Sequence, residues 1–128
     1  GGFALDPGLL AVSAAGGAPG LVALDPSTGA VLLRDDRVVT WKLHPVEGGA
    51  VLRDGRDGLV RLRREGAGVR RETRTTEPHV GLLDVDPSGG RLLLAGPEGS
   101  FVRGWPDLRP LAGTLPAGTT VDWALDLL

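Results

Sequence analysis

The side chains best equipped for chemistry in this sequence are the arginines in the middle of the chain. The segment from Arg53 to Arg74 contains eight arginines and four acidic residues, which gives it a local charge of +4 in a chain of net charge −2. The alternation in Leu59-Val60-Arg61-Leu62-Arg63 predicts a strand that directs Arg61 and Arg63 to one solvent-facing side. A row of guanidinium groups of this kind could bind the phosphates of DNA.

The same arginines also have a protective interpretation. Charged side chains on an outer strand prevent edge-to-edge pairing with other sheets, and the interspersed acids neutralise part of the positive field. We favour this interpretation and keep contact with DNA as a secondary hypothesis. The candidate residues for contact with DNA or a protein partner are Arg61, Arg63, Arg64, Arg70, Arg71 and Arg74.

A second cluster places oxygen-bearing side chains at regular spacing. Asp84, Asp86 and Ser88 occupy positions one, three and five of a segment with Gly89 at position six, which is how a calcium loop begins. Position twelve, where a bidentate acid should complete the loop, is Ala95. A hairpin turn started by proline explains the same residues without a metal. We therefore predict no cofactor and retain the three residues only as a calcium candidate.

The remaining residue types do not point to catalysis. His44 and His79 are the only histidines, and neither has a serine, carboxylate or second histidine at a spacing typical of a triad or a metal site. The chain has no cysteine, which excludes disulfides and thiolate chemistry. The sequence therefore predicts a protein that is not an enzyme. The tryptophans are predicted to anchor the core, and they are Trp41, Trp105 and Trp123.

Composition favours a turn-rich, mainly β chain. Its 128 residues include 21 glycines and 10 prolines, which interrupt helices, whereas a hydrophobic share of 41% excludes a disordered tail. We predict one β-rich domain over residues 1–128. The predicted strands are Leu9–Ser13, Leu21–Asp25, Ala30–Arg34, Val38–Leu43, Ala50–Arg53, Leu59–Leu62, Val80–Val85, Leu92–Ala95, Phe101–Arg103 and Thr120–Leu128.

Three turn signals connect these strands. Asp25-Pro26-Ser27-Thr28-Gly29 and Asp86-Pro87-Ser88-Gly89-Gly90 each combine an aspartate that caps the turn, a proline and a glycine, so both predict hairpins. Asp57-Gly58 predicts a third hairpin. No glycine- and proline-free window carries an apolar stripe at helical spacing. The absence of methionine leads us to expect a processed or trimmed start at Gly1.

An internal repeat is also visible in the sequence. Similar residues recur at intervals of 38 and 42 residues: Pro7, Pro45 and Pro87, and Leu21, Leu59 and Phe101. A period near 40 residues with four short strands per unit is typical of a β-propeller blade. Three WD-repeat-like blades cannot close a ring, so this alternative implies a propeller fragment that acts as a protein-interaction module by pairing with another chain or with itself.

Three stretches, taken in order, carry a resemblance to a known family. The first is Gly1-Gly2-Phe3-Ala4-Leu5. The second comprises Val38-Val39-Thr40-Trp41-Lys42-Leu43, Leu52-Arg53 and Leu59-Val60-Arg61-Leu62-Arg63-Arg64. The third comprises Trp105-Pro106, Leu115-Pro116 and Val121-Asp122-Trp123-Ala124-Leu125-Asp126-Leu127. This series resembles the periplasmic head of minor pilins and pseudopilins of the J and W types.

The resemblance implies antiparallel sheets of a pilin-like head and a structural role in assembling a type IV pilus or a type II secretion pseudopilus. Other pilins or pseudopilins would be its partners, and links to cell adhesion and DNA uptake are expected from such filaments. Membrane contact would be made only through a helix absent from this chain. The head would lie in the periplasm, anchored to the inner membrane, and later in an extracellular filament or in the pseudopilus.

Overall fold

The computed structural model describes residues 2–15, 18–55, 58–77, 79–97 and 99–111. Within these ranges every element is a strand, so the prediction of a mainly β chain is confirmed. The strands are β1 (Phe3–Asp6), β2 (Leu9–Ser13), β3 (Leu21–Leu24), β4 (Val31–Asp35), β5 (Leu43–Val46), β6 (Gly49–Asp54), β7 (Gly58–Glu65), β8 (Gly68–Thr75), β9 (Gly81–Val85), β10 (Arg91–Gly96) and β11 (Gly99–Gly104). Among these residues we find no helix with the length and hydropathy needed to span a membrane.

The chain divides into two compact units, Gly1–Thr76 and Glu77–Leu128. The first unit contains β1 to β8, and the second contains β9 to β11. The prediction of a single domain over residues 1–128 stays a prediction.

The first sheet is an antiparallel meander in the order β1-β2-β3-β4. Its last hairpin uses the predicted turn, since Asp25 Oδ1 accepts a hydrogen bond from the Ser27 backbone N–H at 2.8 Å. Gly29 follows with φ of 75°, a left-handed conformation that glycine adopts without steric cost. The predicted hairpin between β3 and β4 is therefore confirmed.

The second sheet is a meander of the same kind, in the order β5-β6-β7-β8. β6 and β7 pair antiparallel, as the Asp57-Gly58 signal predicts, although Asp57 itself lies outside the described residues. β7 and β8 are each eight residues long and pair from Gly58 opposite Thr75 to Glu65 opposite Gly68. The polar strand β8 is an edge strand of the sheet, whereas β7 is a central strand between β6 and β8.

The two sheets of the first unit pack face to face. β1 and β2 both contact β5 and β6, and β4 contacts β8. Alternate residues of each strand point into this interface, because successive side chains of a strand face opposite sides of the sheet. The core comprises Ala4, Leu9, Ala11, Leu21, Ala23, Val38, Leu43, Ala50, Leu52, Val60 and Leu62, with Leu32, Leu33 and Val69 packed against it.

The second unit contains an antiparallel sheet in the order β11-β10-β9. The predicted turn after Val85 connects β9 to β10, and the Asp86 backbone N–H donates to the Arg91 carbonyl at 2.9 Å. An isolated bridge joins Arg103 to Pro110. The described residues of its three strands include five buried apolar side chains, of which the central strand supplies three: Val85, Leu92, Leu93, Leu94 and Val102.

One predicted strand is wrong, and three strands escape prediction. Residues 38–42 form no strand, because they connect the first sheet to the second and only Leu43 enters β5. The sequence pattern misses β1 and β8 and most of β5. β8 is missed because its residues are mainly polar and it pairs on only one side. The predicted strand Thr120–Leu128 lies outside the described residues.

Candidate functional site

The predicted row of solvent-facing arginines on β7 is wrong at Arg61, which is 7% exposed. β7 lies between β6 and β8, and its first five residues are buried on both faces of the sheet. Arg61 stands opposite Val51 of β6 and Glu72 of β8. Burial lowers the pKa of Arg61, and the nearby charge of Arg63 lowers it further. The Arg61 side chain is therefore mostly buried on a covered face of the sheet.

Arg63 and Arg70 are the two exposed members of the set. They stand opposite each other on β7 and β8. Arg70 also lies near two acids, with its guanidinium nitrogens 3.9 Å from Glu65 Oε2 and 3.7 Å from Glu72 Oε1. The basic surface is thus a pair of arginines beside two glutamates.

Arg64 holds loops of both sheets in the first unit. Its Nη2 forms an ion pair with Asp25 Oδ2 at 3.0 Å, its Nη1 donates to the Gly8 carbonyl at 3.2 Å, and its Nε donates to the Gly66 carbonyl at 2.7 Å. Hydrogen bonds from Ser27 and from Arg64 lower the pKa of Asp25 to about 2. All three donor nitrogens of Arg64 are therefore used within the fold.

Arg71 and Arg74 complete the set of six. Arg71 forms an ion pair with Asp35 of β4 and lies 4.0 Å from Asp54 of β6, so it joins the two sheets. Arg74 Nη2 lies 3.9 Å from Glu72 Oε2. Of the six predicted contact residues, Arg61 is therefore buried, and Arg64 and Arg71 connect the two sheets. The other three lie nearer the surface: Arg63, Arg70 and Arg74. The interpretation that charged side chains prevent edge-to-edge pairing fits β8 better than β7, because β8 is the edge strand of the sheet.

The calcium candidate residues Asp84, Asp86 and Ser88 lie at the turn between β9 and β10, where the two carboxylates accept hydrogen bonds from other groups of the protein. Asp86 Oδ1 accepts from the Ser88 backbone N–H at 3.2 Å, and Asp86 Oδ2 accepts from Arg91 Nε at 2.6 Å. Desolvation raises the pKa of Asp86, but the hydrogen bonds from Arg91 and Ser88 outweigh it and the net pKa is lowered. Asp84 Oδ1 accepts from the Val85 backbone N–H. Within the described ranges, no three acidic or histidine side chains form a cluster able to hold a metal ion.

An exposed tryptophan is the most prominent feature of the connection between the sheets. Trp41, predicted to anchor the core, is 77% exposed, so that prediction is wrong. The flanking residues Val38 and Thr40 are buried instead. Backbone hydrogen bonds fix the segment, from Gly20 N–H to the Val38 carbonyl at 2.8 Å and from Gly55 N–H to the Val39 carbonyl at 2.7 Å. Residues 36–42, which we call the Trp41 loop, therefore present a large indole ring from an anchored backbone.

The other two tryptophans and the histidines have different environments. Trp105 is half-buried, and Trp123 lies outside the described residues. His44 is buried in β5, whereas His79 is exposed. The two histidines belong to different units.

Sequence reasoning missed an apolar surface on the first sheet. Strand register places seven side chains on the face turned away from the core, which we call the outer face: Phe3, Leu5, Leu10, Val12, Val22, Leu24 and Val31. Phe3 is 69%, Leu5 55% and Val31 61% exposed. Strands β2 and β3 are apolar at successive positions, which is typical of a sheet that is covered on both faces. This pattern in the sequence could have predicted the apolar outer face.

In comparisons with known proteins, no family model, no curated protein and no solved structure matches the chain.

Proposed function

We propose that this chain is a non-catalytic protein-interaction module built from β-propeller-like repeats. The observation that carries the proposal is the repeated architecture of the first unit. Two four-stranded meanders with the same strand order pack face to face, and corresponding strands of the two repeats contact each other, β1 with β5 and β4 with β8. Blades of a propeller are four-stranded sheets of this kind, arranged around a common axis.

The sequence repeat supports the same proposal. Leu21, Leu59 and Phe101, which recur along the sequence, begin or lie within β3, β7 and β11, each the third strand of its meander. The first strands of the meanders begin at Phe3, Leu43 and Gly81, 40 and 38 residues apart. A period of this length with repeated strand order favours repeats over a single irregular sheet.

The surface of the first unit supports binding as its mode of action. Large apolar side chains are exposed on the outer face and in the Trp41 loop, and exposed aromatic residues are common at the energetic centre of protein interfaces. The titratable groups described above serve in turns and in ion pairs between strands. This division of roles fits a module that binds partners through apolar surface.

We propose the head of a minor pilin as the second candidate function. A filament subunit must contact its neighbours, and the exposed apolar surface is suited to such contacts. In that role the chain would assemble with other pilins or pseudopilins. The two proposals differ in the identity of the partner, which an experiment can establish directly.

The experiment places a photo-crosslinking amino acid at Trp41 in the cells that produce the protein, with the exposed turn residue Thr28 as the control position. The interaction module predicts adducts at Trp41 with a defined set of proteins that the Thr28 position does not give. Identification of pilins or pseudopilins among them would favour the second proposal. Equal adducts from both positions, or none, would contradict binding through the Trp41 loop.

A further inference from the structure

We infer that the Trp41 loop binds an acidic segment of a partner protein. In this complex the Trp41 indole packs against apolar atoms of the segment, and Arg37 and Lys42 form ion pairs with its carboxylates. The inference rests on the proposed function, since it names the chemistry of the partner that the interaction module takes. It concerns only the Trp41 loop and makes no use of the outer face.

The first step is that the acids near the loop already have cationic partners within the fold. The Asp35 carboxylate, just before the loop, forms an ion pair with Arg71 through Oδ2. Its Oδ1 accepts a hydrogen bond from the Arg37 backbone N–H at 2.9 Å. Asp36 Oδ1 accepts from Arg34 Nε at 3.1 Å. Each of these two negative charges is therefore balanced by the side chain of an arginine outside the loop.

The second step is that the two cations of the loop lack such a balance. The side chains of Arg37 and Lys42 are both exposed. Within the described part of the chain, neither of them forms an ion pair with a carboxylate. The loop thus carries two positive charges close to a large apolar ring. A surface of this kind is complementary to a segment that combines acidic and apolar side chains.

The third step is that the fold presents the indole and both cations together. Val38 and Thr40 are buried, and the residues that alternate with them at both ends, Arg37 and Trp41, are exposed. Lys42 follows Trp41 directly. Because four residues of chain span at most about 14 Å, the Cα atom of Arg37 lies within that distance of the Trp41 Cα atom. The backbone hydrogen bonds of the loop fix it before binding, so little entropy is lost when a partner docks.

The fourth step favours a protein segment over a nucleic acid as the source of the negative charge. The chain has a net charge of −2, which repels a long polyanion. A short acidic segment instead meets the two cations at close range, within the roughly 8 Å over which salt screens charge at physiological ionic strength. Tryptophan and arginine are also enriched at the energetic centres of protein interfaces.

The test uses the partner segment that forms the adduct with a photo-crosslinking amino acid at Trp41, made as a fluorescent synthetic peptide. Acidic side chains should be enriched in this segment. Fluorescence anisotropy then measures its affinity for the unaltered full chain, and this affinity should fall as the salt concentration rises. The double variant Arg37→Glu/Lys42→Glu should raise the dissociation constant at least about tenfold.

Arg63→Glu/Arg70→Glu is the matched control, because it changes the net charge by the same amount at two other exposed positions of the first unit. It should raise the dissociation constant by less than about twofold, since salt screens these distant charges. Circular dichroism should give the same fold for both double variants. A peptide in which amides replace the carboxylates tests the same charges on the unaltered chain, and it should bind at least about tenfold more weakly.

The outcomes separate this inference from the proposed function. A crosslinked protein segment without clustered acids, or an affinity that neither Arg37→Glu/Lys42→Glu nor the amide peptide reduces, would overturn the acidic partner and leave the interaction module standing. A nucleic acid as the crosslinked molecule, or the absence of a specific adduct at Trp41, would overturn both.

Discussion

Asp25 and Arg64 illustrate how a single pair of side chains connects distant parts of the first unit. Asp25 belongs to the turn between β3 and β4, whereas Arg64 lies near the end of β7. Their ion pair, together with the hydrogen bond from Arg64 to the Gly8 carbonyl, joins two loops of the first sheet to the second sheet. A hydrogen bond of a charged donor to a carbonyl is stronger than its neutral equivalent, so we regard Arg64 as a structural residue.

The lowered pKa of Asp25 predicts a specific loss of stability in acid. Its pKa falls from 3.8 to about 2 in the folded chain, so the charged carboxylate favours the folded state. This contribution is present above pH 3.8 and is lost as the pH falls from there through about 2. Urea unfolding measured between these pH values should show a smaller decrease in the free energy of unfolding for Asp25→Asn than for the unaltered chain.

Asp36→Asn is the matched control, because Asp36 lies in an exposed turn of the same unit and pairs with exposed Arg34. It should reproduce the acid response of the unaltered chain more closely than Asp25→Asn does. Equal pH dependence for the unaltered chain and Asp25→Asn would contradict the assigned role of Asp25.

β6, β7 and β8 show how a polar segment becomes a strand. β8 contains three arginines and a glutamate among its eight residues, and its sequence alone has little strand character. It forms because a short turn at residues 66–67 returns the chain along β7 and supplies a partner for every residue of the hairpin. Arg71 then fastens β8 to β4 through Asp35.

The close approach of β6 and β7 makes Gly49 sensitive to substitution. A Cβ built at Gly49 would lie 1.9 Å from the Leu62 carbonyl oxygen, so Gly49→Ala must push the strands apart at the start of their pairing. We expect Gly49→Ala to lower the free energy of unfolding by about 1–3 kcal/mol, the usual cost of overpacking. Thermal or urea unfolding of the full chain measures this change.

Gly68→Ala provides the control within the same sheet. The nearest atom to its added Cβ is the Glu65 carbonyl oxygen at 3.9 Å, an ordinary contact. This substitution should change stability by no more than about 0.5 kcal/mol. If both alanine variants behave alike, the backbone spacing that we assign to β6 and β7 is incorrect.

The charge distribution of the whole chain limits what it can bind by electrostatics. Its net charge is −2, and the six candidate contact arginines are divided between buried, structural and surface positions. Exposed Arg63 and Arg70 make a small basic pair beside two glutamates. Contact with DNA therefore stays a prediction that depends mainly on these two side chains.

The DNA hypothesis predicts a small and measurable effect for the double variant Arg63→Ala/Arg70→Ala. Loss of two phosphate contacts should lower the slope of log affinity against log salt by about 2 in fluorescence anisotropy with labelled duplex DNA. The control Arg34→Ala/Arg37→Ala removes the same charge elsewhere on the first unit. Absence of measurable binding by the unaltered chain, or equal effects of the two double variants, would eliminate the hypothesis.

The amino-acid sequence by itself was sufficient for the class of the fold and for much of its local structure. The Asp-Pro turns at Asp25 and Asp86 and the Asp57-Gly58 signal each predict a hairpin that the strands reproduce. Turns can be predicted from the sequence because their geometry depends on a few neighbouring residues, whose allowed backbone angles are local properties.

Tertiary structure alone decided which side chains are buried. Arg61 alternates with apolar residues as an exposed residue would, yet both faces of β7 are covered over its first five residues and Arg61 is buried. Trp41 has the size of a core residue, yet the buried anchors of its loop are Val38 and Thr40, and the indole is left in solvent. Burial depends on which strands become neighbours, and those neighbours are distant in sequence, so no local pattern can determine it.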